Sequence, residues 1–235
     1  MSVSRLPFLL VLALLATSLK ASDDVPAFTK DARILFQGDS ITDGNRGRNT
    51  DPNHILGHGY QFIIAAKYGA LLADRNLTFM NRGISGNTVL DLEKRWQKDT
   101  LDLKPDVLSI LIGVNDDGKK VAFDQYEQVY DKLLADTRAA NPQVKLVLCE
   151  SFRLWKGERP DNWEASLASI KQRQQIVAKL AAKYKAALVP FQAVFDEAVK
   201  RAPADHWIWD GVHPTYSGHQ LMADEWVRVV KEFWK

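Results

Sequence analysis

Short apolar runs alternate with segments of helical period along most of the chain. The first run is Arg33–Gln37, whose apolar centre, Ile34 to Phe36, stops at Gly38. Four more runs of strand length follow at Leu77–Asn81, Val107–Ile112, Val144–Cys149 and Ala187–Pro190. Val107–Ile112 is apolar apart from Ser109, which suits a strand covered on both faces. Between the runs, apolar residues recur three and four apart. Tyr60, Ile63, Ile64, Tyr68, Leu71 and Leu72 mark one helix face, and Thr88–Trp96 reads as a second helix. Asp124-x-x-Glu127 resembles a capping box opening a third helix through Tyr126, Val129, Tyr130, Leu133 and Leu134, which closes near Asn141-Pro142. A long helix carries Ile170, Val177, Leu180 and Tyr184, and the last carries Met222, Trp226, Val229, Val230 and Phe233. Strand alternating with helix five times predicts an α/β fold, a three-layer α/β/α sandwich with right-handed crossovers. Its five-stranded parallel sheet is expected in the flavodoxin-like order 2-1-3-4-5.

The first 21 residues stand outside this pattern. Arg5 precedes an apolar stretch from Leu6 to Ala16 that is short for a bilayer span, and small residues lead to Ala21. That is the arrangement of a secretory signal peptide, with Ala16-Thr17-Ser18 a competing cleavage site and a retained N-terminal anchor as the alternative use. Residues 22–235 then form one domain, and the expected location is secreted or periplasmic, with no stable membrane insertion after cleavage. The leader removes Arg5 and Lys20 from the 31 basic residues and none of the 29 acidic ones, so the mature charge balances. Nothing in that balance favours a nucleic-acid partner. Cys149 is the only cysteine, so no intrachain disulfide can form and the core must hold the domain. Its place in an apolar strand predicts burial.

Polar and glycine residues collect at the ends of the strands. Gly38-Asp39-Ser40 ends the first, Gly83-Ile84-Ser85-Gly86-Asn87 the second and Gly113-Val114-Asn115-Asp116 the third. In a parallel sheet these ends share one edge, where open α/β sheets bind ligands. Ser40 at such a turn suits a nucleophile if a base reaches it, or else a simple helix cap. Glycine N–H groups and the Asn115 amide beside a serine suit an oxyanion hole; taken singly, each suits only a turn. The best base is distant. In Asp210-Gly211-Val212-His213-Pro214 a carboxylate three residues before a histidine can turn back to Nδ1 and leave Nε2 for the serine proton. His206, His219, His54 and His58 are weaker candidates. Gly57 and Gly59 disfavour the helix that would put His54 and His58 on one face as metal ligands. The Gly38 turn lacks the pattern and lysine of a phosphate-binding loop.

These four blocks resemble the SGNH hydrolases, also called GDSL esterases and lipases, over nearly the whole chain from Ile34 to Trp226. The resemblance places the signature residues at Ser40, Gly83, Asn115 and His213, with Asp210 as the acid. Ile41 stands where the family usually has leucine. Asn81–Asn87 and Ile112–Asp116 are close to a bacterial branch that includes secreted carbohydrate acetylesterases. By that resemblance Ser40 attacks an ester carbonyl, His213 is base and then acid, and Asp210 orients it. Backbone N–H groups of Ser40 and Gly83 and the Asn115 amide hold the oxyanion. No metal or organic cofactor is implied.

The expected activity is removal of short acyl groups, such as acetyl, from carbohydrates such as acetylated xylan or its oligosaccharides. A lipase, lysophospholipase or thioesterase on the same fold is the rival enzyme, and a non-catalytic glycan-binding module the rival from another class. The longest loops at the active edge, Asn45–Gly59 and Ser151–Trp163, are mainly polar and carry Arg46, Arg48, His54, Arg153 and Lys156. Trp155, Trp163, Trp207 and Trp209 lie on or near loops at that edge and suit stacking on sugar rings, with packing of the loops as the alternative use. An acylated carbohydrate is therefore the expected partner, and an oligomer is compatible with the sequence.

Overall fold

A computed structural model describes residues 24–155, 157 and 161–235. The leader and Lys156 lie outside them. Five parallel strands form one sheet: β1 (Arg33–Gly38), β2 (Thr78–Asn81), β3 (Val107–Leu111), β4 (Lys145–Cys149) and β5 (Ala187–Val189). Their order is β2-β1-β3-β4-β5, the arrangement that the alternation of strands and helices predicts. The helices are α1 (Ser40–Asp43), α2 (Tyr60–Leu71), α3 (Val89–Asp99), α4 (Val114–Gly118), α5 (Phe123–Ala140), α6 (Trp163–Tyr184), α7 (Phe191–Ala198), α8 (Ala204–Trp207) and α9 (Tyr216–Phe233).

The strand side chains divide between two cores, as a period of two requires. Ile34 and Phe36 point to one face, against α2, α7 and α9, while Leu35 points to the other, against α3, α5 and α6. Trp226 of α9 is fully buried across β1, with its ring 5.4 Å from that of Phe36. Its indole N–H donates to Ser109 Oγ at 3.0 Å, which accounts for the one polar residue of β3. Cys149 is fully buried beside that hydroxyl, and burial pushes its thiol up to about 12, so it is an inert core group.

Two local expectations fail. Helix α5 begins at Phe123 with Ala122 as its cap, and no side chain closes a box there; the Asp124 carboxylate instead accepts from the next N–H, of Gln125. The real capping box lies at Thr88 and Asp91, at the start of α3. Leu71 and Phe233, read as members of buried helix faces, are each more than two-fifths exposed, because both sit at helix ends beyond the edge of the core.

Candidate active site

At the end of β1 the chain turns into the single-turn helix α1. Asp39 caps it, accepting the Ile41 N–H at 3.0 Å. The cap is thus Asp39 and not Ser40, which leaves the Ser40 hydroxyl free to face outward. Asp39 is almost wholly buried. Burial pushes its carboxyl up to about 7; the Ile41 N–H opposes that push and the neighbouring Asp116 charge adds to it.

Ser40 Oγ meets His213 Nε2 at 2.7 Å. His213 Nδ1 meets Asp210 Oδ2 at 2.6 Å. The two carboxylate oxygens of Asp210 divide their work. Oδ2 holds the imidazole, while Oδ1 accepts the backbone N–H groups of Val212 at 3.0 Å and His213 at 2.8 Å and so shapes the turn. Burial pushes the Asp210 carboxyl up, but these bonds from His213 and Val212 outweigh it and hold the group below the usual carboxylate range. The loop is pinched at its base by the Trp209 N–H to His213 carbonyl bond, at 3.1 Å, and the Thr215 N–H to Trp207 carbonyl bond, at 2.9 Å. Gly211 sits at its tip with φ +91°, and a Cβ there would come within 2.6 Å of the Trp155 ring. The fold thus brings Ser40 onto a histidine 173 positions further along the chain, which in turn meets the carboxylate three residues before it.

At one of the expected oxyanion donors the structure differs from the sequence reading. The Gly83 N–H is committed to Asn81 Oδ1 at 2.9 Å. A Cβ on Gly83 would lie 2.4 Å from the Asp43 nitrogen. Gly83 is therefore a close-packing glycine whose donor points inward. Three residues on, Gly86 has φ +80° and open space where a Cβ would stand, and its N–H has no partner among the described residues. Asn115 opens α4 from the neighbouring strand end. Its Nδ2 donates to the Asn87 carbonyl at 3.0 Å, which fixes the amide and leaves its second N–H available.

The sequence reading missed the residues that hold this loop. Asp43 is buried and accepts both the N–H and the hydroxyl of Ser85 at 2.9 Å. It also takes a two-pronged contact from Arg48, at 3.1 and 2.7 Å. Burial pushes its carboxyl up, yet those bonds leave it lowered. Arg46 Nε reaches the Gly83 carbonyl at 2.9 Å. Asn81 Nδ2 ties the carbonyls of Thr42 and Leu56, at 2.7 and 2.9 Å.

The four tryptophans separate. Trp209 is 60% exposed, with its ring 5.9 Å from that of His213. Trp155 is half-buried, lies on Gly211, and has its ring 5.6 Å from that of Trp163. Trp163 and Trp207 are buried, and Trp207 Nε1 donates to the Ala202 carbonyl at 3.1 Å. A buried indole cannot present its face to a sugar, so these two pack loops. His219 is also buried. Its Nδ1 accepts the Tyr60 N–H at 3.2 Å, and burial with the nearby His58 and His213 lowers it to about 4, so it is a neutral structural acceptor.

A serine hydroxyl on an imidazole, that imidazole on a carboxylate, and free donors nearby define a site for acyl transfer. The model of the GDSL-like lipase/acylhydrolase family matches residues 36–221. The chain belongs to that family and is a carboxylic ester hydrolase. Among its relatives is an acetylxylan esterase from Geobacillus stearothermophilus, 33% identical over 215 residues that cover 86% of this chain and 95% of the relative. A crystal structure of an acetylxylan esterase from that organism superposes with a TM-score of 0.77 at 30% identity, covering 87% of this chain and 96% of the other. A GDSL-like chain from Parabacteroides merdae gives 0.81 at 40% identity, covering 86% and 96%.

Proposed function

We propose that this esterase removes acetyl groups from carbohydrates, with acetylated xylan fragments as its substrate class. Ser40, His213 and Asp210 are its catalytic residues. The observation that carries the chemistry is the relay of two short contacts, Ser40 Oγ to His213 Nε2 at 2.7 Å and His213 Nδ1 to Asp210 Oδ2 at 2.6 Å. Ser40 Oγ attacks the acetyl carbonyl carbon as its proton passes to His213 Nε2. The carbonyl oxygen, now an oxyanion, is held by the N–H groups of Ser40 and Gly86 and the free N–H of the Asn115 amide. Asp210 steadies the imidazolium. When the tetrahedral intermediate collapses, the sugar oxygen leaves with the proton from His213, and acetyl stays on Ser40. Water then gives a proton to His213 and adds to the acyl-enzyme. The second collapse returns the proton to Ser40 Oγ and frees acetate.

The carbohydrate half of the proposal is supported by the similarity to an acetylxylan esterase and by the Trp209 indole, exposed beside His213, where an amphipathic ring suits a sugar face. The basic side chains Arg46, Arg48 and Arg153 around the loops fit a wet groove better than an acyl trench. We further propose that residues 1–21 direct export and that 22–235 form the mature enzyme. No helix among the described residues is long and apolar enough to cross a membrane.

The test is kcat/KM on p-nitrophenyl acetate, butyrate and octanoate beside acetate release from acetylated xylooligosaccharides. The expected result is a preference for acetate and release from the glycans. A preference for octanoate with no acetate released from any glycan would replace this reading with that of a lipase.

A further inference from the structure

Arg95 lies on α3, outside every block that carries the chemistry. Its side chain is 14% exposed, and its guanidinium spends its donors at the sheet edge. Nε donates to Asn87 Oδ1 at 2.8 Å. Nη1 donates to Gln37 Oε1 at 2.9 Å, to the Arg82 carbonyl at 2.8 Å and to Asp99 Oδ2 at 3.2 Å. Nη2 reaches the Gly38 carbonyl at 3.4 Å. One planar group therefore touches the end of β1 through Gln37 and Gly38, the exit from β2 through Arg82, and the following loop through Asn87.

The Asn87 carbonyl is the acceptor that fixes the Asn115 amide, at 3.0 Å. On the other flank, Asp43 pins Ser85 through both its N–H and its hydroxyl. Gly86 is thus held between two anchored neighbours, an aspartate on one side and an arginine on the other. An ion pair serving only stability would need Asp99 alone. The guanidinium instead reaches past Asp99 to four neutral acceptors on the elements that carry the nucleophile and the oxyanion donors.

We propose that Arg95 is a positioning residue of the reaction: it joins the ends of β1 and β2 to Asn87 and so sets the Gly86 N–H and the Asn115 amide where the oxyanion forms. This rests on reading Asn115 as an oxyanion donor. Lysine cannot replace arginine here. A compact ammonium with three donors cannot span acceptors laid out for a planar fork.

The experiment is a double-mutant cycle on the full chain with p-nitrophenyl acetate, using R95M, R95K, N115A, N87A and the R95M/N115A pair, with circular dichroism and Tm as folding controls. N115A alone should lower kcat by roughly 10²–10³-fold. R95M and R95K should each lower kcat by about 10–100-fold, with KM within about threefold, since displacement of a positioned group costs turnover. In the N115A background the same Arg95 change should cost several-fold less than it does in wild type, because the part of its action that runs through Asn115 is already gone and only the part through Gly86 remains. If R95M fails to fold, N87A carries the test. It removes the Nε partner, keeps the carbonyl that holds Asn115, and should couple to N115A in the same way. A loss of kcat with R95M or N87A that multiplies in full with that of N115A overturns the role of Arg95 and leaves Asn115 as a donor. Wild-type kcat for N115A overturns the donor reading, and this proposal with it. A lower Tm with wild-type kcat for the folded R95K enzyme makes Arg95 a stability residue only.

Discussion

The two halves of the site are built to different standards. The half bearing the proposed nucleophile and oxyanion donors is made of strand ends, and its supports are internal. Asp39, Asp43 and Asn81 are buried, and each is hydrogen-bonded to the backbone it positions. The half bearing the proposed base is a loop, with Asp210 and His213 side chains about one-third exposed. It holds itself with two bonds to Asp210 Oδ1, a pinch at Trp209, and the Trp155 ring against Gly211. A fixed oxyanion site gains most from rigidity, because its dipoles must already face the charge that develops. A base has to accept a proton and then hand it on, and a lighter mounting suffices if one carboxylate sets its angle.

The largest effects should come from breaking the link between the halves. S40A and H213A should each lower kcat by roughly 10⁴–10⁶-fold on p-nitrophenyl acetate while leaving circular dichroism unchanged. D210N should retain more activity, with a loss of about 10³–10⁴-fold, since Asp210 orients and steadies but carries no proton. Equal losses for all three would mean that the loop has collapsed rather than lost a group.

G211A tests the mounting of the base half. The added methyl meets the Trp155 ring at 2.6 Å and sits on a backbone with φ +91°. A displacement of the loop should lower kcat by about 10–100-fold, with a smaller change in KM. The corresponding change at Gly86 meets no side chain but keeps the φ penalty, so comparison of G211A with G86A in kcat and Tm separates crowding from strain.

Asp39 and Asp210, one from each half, should also differ in the sign of their response to pH. Asp39 holds its proton up to about 7, whereas an unfolded aspartate releases it near 3.8. The folded state therefore binds more protons than the unfolded state between those values, and the contribution of Asp39 to stability falls as pH rises through that window. Asp210 is lowered, so its contribution is present above the usual carboxylate range and is lost as pH falls through its folded value. D39N keeps an oxygen for the Ile41 N–H and has no proton to lose; relative to wild type, its Tm should rise from pH 4 to pH 7 and stay level above. D210N should lower Tm at neutral pH and lose that deficit in acid. The same slope for both variants would refute the distinction.

The smallest effect belongs to Trp209. W209A should raise KM for acetylated xylooligosaccharides by about 3–10-fold, as loss of an aromatic platform does. The change on p-nitrophenyl acetate should be smaller. Equal changes on the two substrates would make the indole a support for His213 instead.

The strands were legible because each is a compact apolar run stopped by glycine, proline or a polar residue. The short helices α4, α7 and α8 were not, since four to eight residues carry too little periodicity to read. Ser40, Asp210 and His213 stood out through their turn residues. Gly83 and Gly86 could not be told apart by spacing: both are glycines of one loop, and the Asn81 side chain decides which N–H is spent inside. Arg95 had no signal at all, because an arginine on an amphipathic helix reads as a solvent-facing charge. The tryptophans divided by burial, which depends on packing between distant elements.

Ser40 and His213 touch across 173 positions of sequence. With the roles proposed for these two residues, the chain must close that loop before it can turn over a single ester, and a closure of that span should come late, after the neighbouring strands have found one another. Every half-folded form is therefore chemically silent, however much of the sheet it has built. On dilution from denaturant, esterase activity should return after the far-ultraviolet signal, which makes turnover a clock for the last event of folding.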